Sequence, residues 1–204
     1  MKYLSTRGDK ADSFKEVLFS GLASDGGLFV PEEWPLIKVD QIDSNISYID
    51  LTLRIISPFV GGEISQENLK KIISDAYINS FSVNDLVSFK DLNDNETVVE
   101  LFNGPTLAFK DFAMQLLIPI FDYFLLMDNK KINLIVATSG DTGSAAINAV
   151  RNSENINIFC LYPKDRISEF QRRQMSTVIK NNVVLCEIDG TFDDCQKIVK
   201  LILN

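Results

Sequence analysis

The chain has 204 residues with a net charge of −8 at pH 7, and 46% of its residues are hydrophobic. This size and composition are ordinary for one large or two small globular domains. The acidic balance argues against a nucleic-acid partner or an anionic membrane surface, because both require a basic surface. The chain has no histidine, which excludes Ser-His-Asp and Cys-His mechanisms and any histidine-ligated metal site. We expect no metal site.

The N-terminus carries no apolar segment typical of a signal peptide. The longest apolar run, residues 116–127, is shorter than the about 20 residues that span a bilayer, and it contains Pro119. It is predicted to form a buried helix. The cysteines Cys160, Cys186 and Cys195 lack C-x-x-C spacing and are expected to be free thiols in a reducing compartment. The sequence therefore predicts a cytoplasmic protein without a membrane partner.

Residues 1–95 are predicted to form a mostly helical first domain. Ser13 and Glu16 have the spacing of a capping box that opens a short helix. Residues 21–35 are rich in glycine and proline and should form a loop. Helix-like apolar spacing follows in residues 47–59 and 65–80. The polar segment DLNDNE, residues 91–96, marks the predicted boundary with a second domain.

The second domain, residues 96–204, is predicted to be a parallel α/β sheet. Short apolar segments alternate with helical ones, as in sheets whose strands are joined by right-handed crossovers. The predicted strands are residues 98–102, 132–137, 157–162 and 183–188. Helices are expected from about residue 110, from about residue 144, and over residues 168–177 and 191–203. Because four strands are few for such a sheet, we expect the chain to be the first part of a longer protein.

One lysine, Lys110, lies in an unusually apolar stretch, FNGPTLAFKDFAMQLL. Burial lowers the pKa of a lysine and makes its free amine a nucleophile, as in lysines that bond to pyridoxal phosphate. Leu107, Phe109 and Phe112 could supply such surroundings. The alternative is a surface lysine at the start of an amphipathic helix, with its charged end in water.

A small polar loop, which we call the SGDTG loop (residues 139–143), follows the predicted strand 132–137. Its backbone N–H groups and the positive end of the next helix would form an anion site at the carboxyl end of a parallel strand. The spacing matches neither the dinucleotide-binding pattern nor the P-loop. The alternative is an ordinary turn before a capped helix. Asp141 either accepts a hydrogen bond or points away, and the sequence leaves both open.

Together these motifs resemble the threonine synthase family, enzymes of fold type II that use pyridoxal phosphate. FNGPTLAFKDFAMQLL and ATSGDTGSAA follow one another in that family's order and spacing. The segments YLSTRGD, GLASDGGLFVPEEWP and DGTFDDCQ are also similar to it, so the resemblance extends in fragments over the whole chain. It implies the α/β fold of these enzymes, present here in part, and pyridoxal 5'-phosphate as the cofactor.

The resemblance also implies roles for individual residues. Lys110 matches the lysine that holds the cofactor and moves protons during turnover. Phe109 and Phe112 are expected to pack around the site, while Arg7 and Asp25 lie in family-like motifs and are expected to be structural. The residues that match the loop beside the cofactor and the substrate carboxylate are Ser139, Gly140, Asp141, Thr142 and Gly143.

The reaction implied by the resemblance converts O-phospho-L-homoserine and water into L-threonine and phosphate. Family members are longer, and their contacts with the cofactor phosphate and the pyridine nitrogen come later in the chain. We therefore expect the 204 residues alone to be weakly active or inactive. Two alternatives remain open: a related pyridoxal-phosphate lyase or dehydratase, and a truncated α/β module without catalytic activity.

Overall fold

The computed structural model describes residues 1–81 and 86–203. The chain divides into two compact units, Met1–Ala76 and Tyr77–Asn204. Each unit has its own sheet and helices. The domain boundary expected near residue 95 stays a prediction.

The first unit combines a small antiparallel sheet with helices. Its strands are β1 (Tyr3–Ser5), β2 (Lys10–Ala11) and β3 (Phe29–Pro31), and β1 pairs with both of the others. Its helices are α1 (Phe14–Ser20), α2 (Tyr48–Val60) and α3 (Gln66–Ile78), and the division between the units falls within the last turn of α3. The prediction of a mostly helical region missed this sheet, because strands of two or three residues carry no detectable apolar alternation.

The helices of the first unit form where the sequence predicts them. The Ser13 hydroxyl caps α1 by accepting a hydrogen bond from the Glu16 N–H at 3.1 Å, and Ser47 caps α2 in the same way. The capping box at α1 is incomplete, since the Glu16 carboxylate accepts from the Asp12 N–H instead. In α3, Leu69 is 1% exposed, which confirms the apolar face read from the spacing.

Asp25 organises the loops around β1. Its carboxylate accepts hydrogen bonds from the Ser5 hydroxyl at 2.7 Å and from the N–H groups of Asp9 and Gly27 at 2.9 and 2.8 Å. Arg7 donates to the Asp25 carbonyl at 3.0 Å. These contacts support the structural role expected for Arg7 and Asp25, because they satisfy backbone groups that no strand pairs.

The second unit begins with an antiparallel hairpin of β4 (Ser88–Asn93) and β5 (Glu96–Glu100). A parallel sheet follows, with strand order β6-β7-β8. Its strands are β6 (Ile132–Ala137), β7 (Ile156–Pro163) and β8 (Val183–Ile188). The helices of this unit are α4 (Lys110–Asp128), α5 (Asp141–Val150), α6 (Glu169–Ser176) and α7 (Phe192–Leu203).

One predicted strand belongs to a different sheet. The segment expected at residues 98–102 overlaps β5, which pairs with β4 in the hairpin. In the described part of the chain the parallel sheet therefore has three strands instead of four. The polar segment 91–96 contains the hairpin turn, where the Asn95 N–H donates a hydrogen bond to the side-chain oxygen of Asn93 at 3.0 Å. A short turn between two strands lets them pair directly as antiparallel neighbours, whereas parallel neighbours need a long crossover connection.

The core of this unit lies on one face of the parallel sheet. The apolar run 116–127 is helical, as predicted, and lies within α4, where Ile118 and Leu125 are each 1% exposed. They pack with the buried side of α5 and with Ile158 and Met175. No helix in residues 1–81 or 86–203 is long and apolar enough to cross a membrane.

The helix starts of this unit gather at one edge of the sheet. Residues 129–131 join α4 directly to β6, so α4 runs opposite to the strand and begins near its carboxyl end. Residues 138–140 join β6 to α5, and α6 follows the end of β7. In open α/β sheets this carboxyl edge is where ligands bind.

Candidate active site

A buried carboxylate shapes the segment that leads into α4 and includes its first two residues, which we call the Lys110 turn (residues 104–111). Asp111 is 0% exposed, and its two oxygens accept hydrogen bonds from the N–H and the hydroxyl of Thr106, both at 2.8 Å. Burial raises the pKa of Asp111, and the hydrogen bonds from Thr106 oppose part of this rise. A Cβ at Gly104 would lie 2.4 Å from the Asp111 Cβ, so the turn requires glycine there. Asp111 thus holds the turn from which Lys110 projects.

Lys110 is the first residue of α4 and is half-buried. Its Nζ lies 4.1 Å from the centroid of the Phe109 ring, a cation–π contact. Within the described residues no carboxylate forms an ion pair with this amine. The amine is therefore held near an aromatic face without being neutralised by an acid.

The apolar enclosure expected around Lys110 is only partly present. Leu107 and Phe109 are 61% and 58% exposed, so neither side chain shields the amine from water on all sides. Phe112 packs against Phe81, with ring centroids 4.9 Å apart. Leu107 has a positive φ of 63°, a left-handed conformation that non-glycine residues adopt mainly in tight turns.

The SGDTG loop is closed by a threonine that precedes it. Thr138 is 1% exposed, and its hydroxyl oxygen accepts hydrogen bonds from the N–H groups of Gly140 at 2.9 Å and Gly143 at 2.8 Å. These two glycines therefore shape the loop and do not offer their N–H groups to a ligand. A Cβ at Gly143 would lie 2.5 Å from the Thr138 side chain, which explains the small residue.

Other N–H groups of the loop remain open. Among the residues that the structure describes, none accepts a hydrogen bond from the N–H of Ser139, Asp141 or Thr142. All three lie at the N-terminal end of α5, where the helix dipole favours an anion. The anion site stays a prediction, with these groups as its backbone donors.

The orientation of Asp141, which the sequence left open, is set by α6. The Gln171 side-chain amide donates to an Asp141 carboxylate oxygen at 2.6 Å. The carbonyl oxygen of the same side chain accepts from the N–H and hydroxyl of Ser168, which completes a capping box at the start of α6. Both ends of the Gln171 amide are therefore engaged.

A second glutamine of α6 reaches the Lys110 turn. The Gln174 side chain donates to the Thr106 carbonyl at 2.8 Å. Gln171 and Gln174 are three residues apart and so lie on the same face of the helix. Hence α6 borders both motifs and brings them together at the edge of the sheet. Neither glutamine is among the site residues predicted from the sequence; the S-x-x-Q spacing of residues 168–171 is a signal for Gln171, while nothing local indicates Gln174.

Replacing Gly140 with alanine should lower the free energy of unfolding by about 2–4 kcal/mol. Gly140 has a φ of 141°, and an added Cβ would lie 2.2 Å from the Gln171 Cδ. The variant thus adds backbone strain and displaces the Gln171 amide. Gly8→Ala is the matched control, because Gly8 has a φ of 114° and nothing within 4 Å of its Cβ position. Equal losses in urea unfolding of the two variants would contradict the role of Gln171.

Comparison with known proteins identifies what this chain is similar to. A family model described as threonine synthase N terminus matches residues 2–77. Threonine synthase of Pseudomonas aeruginosa is 47% identical over 203 residues, which are 98% of this chain and 43% of that protein. The chain matches the N-terminal portion of threonine synthases. The resemblance read from the motifs is thereby confirmed.

Solved threonine synthase structures have the same fold over the matched region. The pyridoxal-phosphate-bound threonine synthase from Brucella melitensis superposes with a TM-score of 0.91 at 43% identity, covering 100% of this chain and 44% of that one. The yeast threonine synthase gives a TM-score of 0.89 at 40% identity, covering 98% and 43%. These matches confirm the predicted α/β fold class. The chain spans less than half the length of these threonine synthases.

Proposed function

We propose that this chain forms part of an enzyme that converts O-phospho-L-homoserine and water into L-threonine and phosphate, with pyridoxal 5'-phosphate as cofactor. The observation that carries the proposal is the contact of α6 with both the Lys110 turn and the SGDTG loop. An amine and a set of open N–H groups then border the same edge of the sheet. The similarity to threonine synthases, one of them solved with pyridoxal phosphate, supports the choice of cofactor and substrate.

The residues present fit an aldehyde cofactor. Lys110 offers a primary amine that is half-buried and, within the described chain, not paired with an acid. Such an amine can bond to a carbonyl carbon, whereas an amine held in an ion pair would first have to leave it. When bound, pyridoxal phosphate supplies an electron sink that stabilises negative charge on the carbon atoms of an attached amino acid.

The chain's own residues would then bind the substrate and move protons. The N–H groups of Ser139, Asp141 and Thr142 and the hydroxyls of Ser139 and Thr142 would hold the substrate carboxylate. The Lys110 amine would take the Cα proton of the substrate and then help to move a Cβ proton. Phosphate leaves from Cγ and water adds at Cβ. No histidine is needed at any step.

The proposed function also accounts for the expected compartment and the expected kind of partner. A biosynthetic enzyme with three free cysteines fits the cytoplasm, where thiols stay reduced. The net charge of −8 favours a small-molecule substrate over a nucleic-acid partner.

The proposal is tested by trapping the cofactor on the chain. The purified protein is mixed with pyridoxal phosphate, reduced with borohydride, and its labelled peptides are mapped by mass spectrometry. We expect Lys110 to be labelled at cofactor concentrations that leave exposed lysines such as Lys71 unlabelled. O-phospho-L-homoserine added before reduction should lower this labelling, because its amine competes with Lys110, and L-serine should lower it less. Equal labelling of Lys110 and Lys71 would argue against the proposal.

A further inference from the structure

We propose that α6 is a brace for the site, with Gln171 and Gln174 as positioning residues that hold the SGDTG loop and the Lys110 turn at a fixed separation. This inference rests on the proposed function, because it assigns the two glutamines to the same substrate and cofactor site. Neither residue needs to touch a ligand. Each acts through the segment that it contacts.

Gln171 determines where the Asp141 carboxylate lies. A carboxylate beside an anion site weakens that site by repulsion, so its position matters for substrate affinity. The Gln171 amide draws the carboxylate toward α6 through a contact of 2.6 Å. The end of the Gln171 side chain also occupies the space where a Cβ of residue 140 would lie. The Gly140 backbone and the Asp141 side chain are thus both held against the same amide.

Gln174 determines where the Lys110 turn lies. It donates to the Thr106 carbonyl, while the N–H and hydroxyl of Thr106 donate to Asp111. Thr106 is therefore held from two sides, by α6 and by the residue that follows Lys110. A change at Gln174 should be transmitted to the position of the amine through this short series of hydrogen bonds.

Because Gln171 belongs to a capping box, a substitution can remove its contact with the SGDTG loop and still keep the cap that stabilises α6. Gln171→Glu keeps an acceptor for Ser168 and the S-x-x-E pattern of a good helix start. It removes the donor to Asp141 and places two carboxylates at the contact now spanning 2.6 Å. The neighbouring arginines Arg172 and Arg173 are both engaged by Glu169 at 2.8 Å. The variant therefore changes the contact with the loop while leaving the helix cap intact.

The test uses the borohydride assay with and without substrate. For Gln171→Glu we expect the concentration of O-phospho-L-homoserine that halves Lys110 labelling to rise about 10-fold. Labelling without substrate should change less than about 2-fold, since Lys110 itself is not displaced. Adding Asp141→Asn should restore competition to within about 3-fold, because the amide introduced in the loop can donate to the carboxylate introduced on α6. Gln66→Glu, at the exposed start of α3, is the control for added charge.

Gln174→Met tests the other half of the brace. It should slow labelling of Lys110 several-fold while leaving substrate competition within about 2-fold, the opposite pattern to Gln171→Glu. If α6 only supported the fold, Gln171→Glu and Gln174→Met would change the labelling of Lys110 and the substrate competition in the same way. Equal changes in the two variants, or failure of Asp141→Asn to restore substrate competition in Gln171→Glu, would overturn the proposal that α6 is a brace.

Backbone amide NMR shifts separate this inference from the proposed function. If Lys110 and Lys71 of the unaltered chain are labelled equally, the proposed function fails. The brace still predicts that Gln171→Glu shifts the amide signals of Ser139 and Thr142 and that Asp141→Asn returns them. Shifts confined to α6 would overturn it.

Discussion

Lys110→Arg should abolish covalent capture of pyridoxal phosphate at position 110, and it should lower turnover by about 10³-fold or more in a polypeptide that carries the complete activity. Arginine keeps the positive charge and the length of the side chain. Its guanidinium stays protonated at any accessible pH and does not provide the free amine that bonds to a carbonyl. The variant therefore removes the chemistry while retaining the charge and the contact with the Phe109 ring.

We expect Lys110→Arg to remain folded, so that its loss of labelling at residue 110 reports the loss of the amine. Lys110 is half-buried and has no ion pair within the described chain, so we expect the thermal midpoint of the arginine variant to stay within a few degrees. Lys131→Arg is the matched control, because Lys131 is exposed and lies outside both motifs. In the Lys131→Arg variant, labelling of Lys110 should equal that of the unaltered chain. If Lys110→Arg is still labelled to the same total extent, another lysine holds the cofactor.

Asp111→Ala should strongly destabilise the chain, lowering the free energy of unfolding by about 2–4 kcal/mol. The carboxylate is fully buried and is the acceptor for both the N–H and the hydroxyl of Thr106. Alanine would leave these donors without a partner in a space that excludes water. Urea unfolding measures the loss, and Asp193→Ala, at an exposed residue in the first turn of α7, should cost less than about 1 kcal/mol. Equal losses would show that the Lys110 turn does not depend on Asp111.

Asp111 should also make stability depend on pH. Burial raises its pKa in the folded chain above the ordinary 3.8, so the folded state keeps this proton to a higher pH than the unfolded state. The contribution of this group to stability should therefore fall as pH rises from 3.8 through the folded pKa, and then stay constant.

Asp111→Asn isolates that contribution, since asparagine does not titrate. The stability of the variant relative to the unaltered chain should increase over the same pH window, as measured by urea unfolding at a series of pH values. A difference that is constant with pH, or one that falls as pH rises, would contradict the raised pKa.

Local pattern was sufficient for much of the second unit. The predicted strands 132–137 and 183–188 have the bounds of β6 and β8, and the helix over residues 168–177 contains α6. These segments are short apolar runs or helices with a serine cap, and each carries its own signal. The strands β1 to β3 carry no such signal because they have only two or three residues, and β4 carries none because its sequence, SFKDLN, has no apolar run.

Local sequence also indicated candidate residues for the site. An amine in an apolar stretch and a small polar loop after a strand made Lys110 and the SGDTG loop candidates, and the resemblance to threonine synthases assigned their roles. Folding decided which groups of that loop stay open, where the Asp141 carboxylate points and how far Phe109 is exposed. Gln171 contacts Asp141 across 30 residues and Gln174 contacts Thr106 across 68, so these hydrogen bonds exist only once α6 has packed beside the sheet. Contacts between residues so far apart depend on the arrangement of whole elements, which no local spacing encodes.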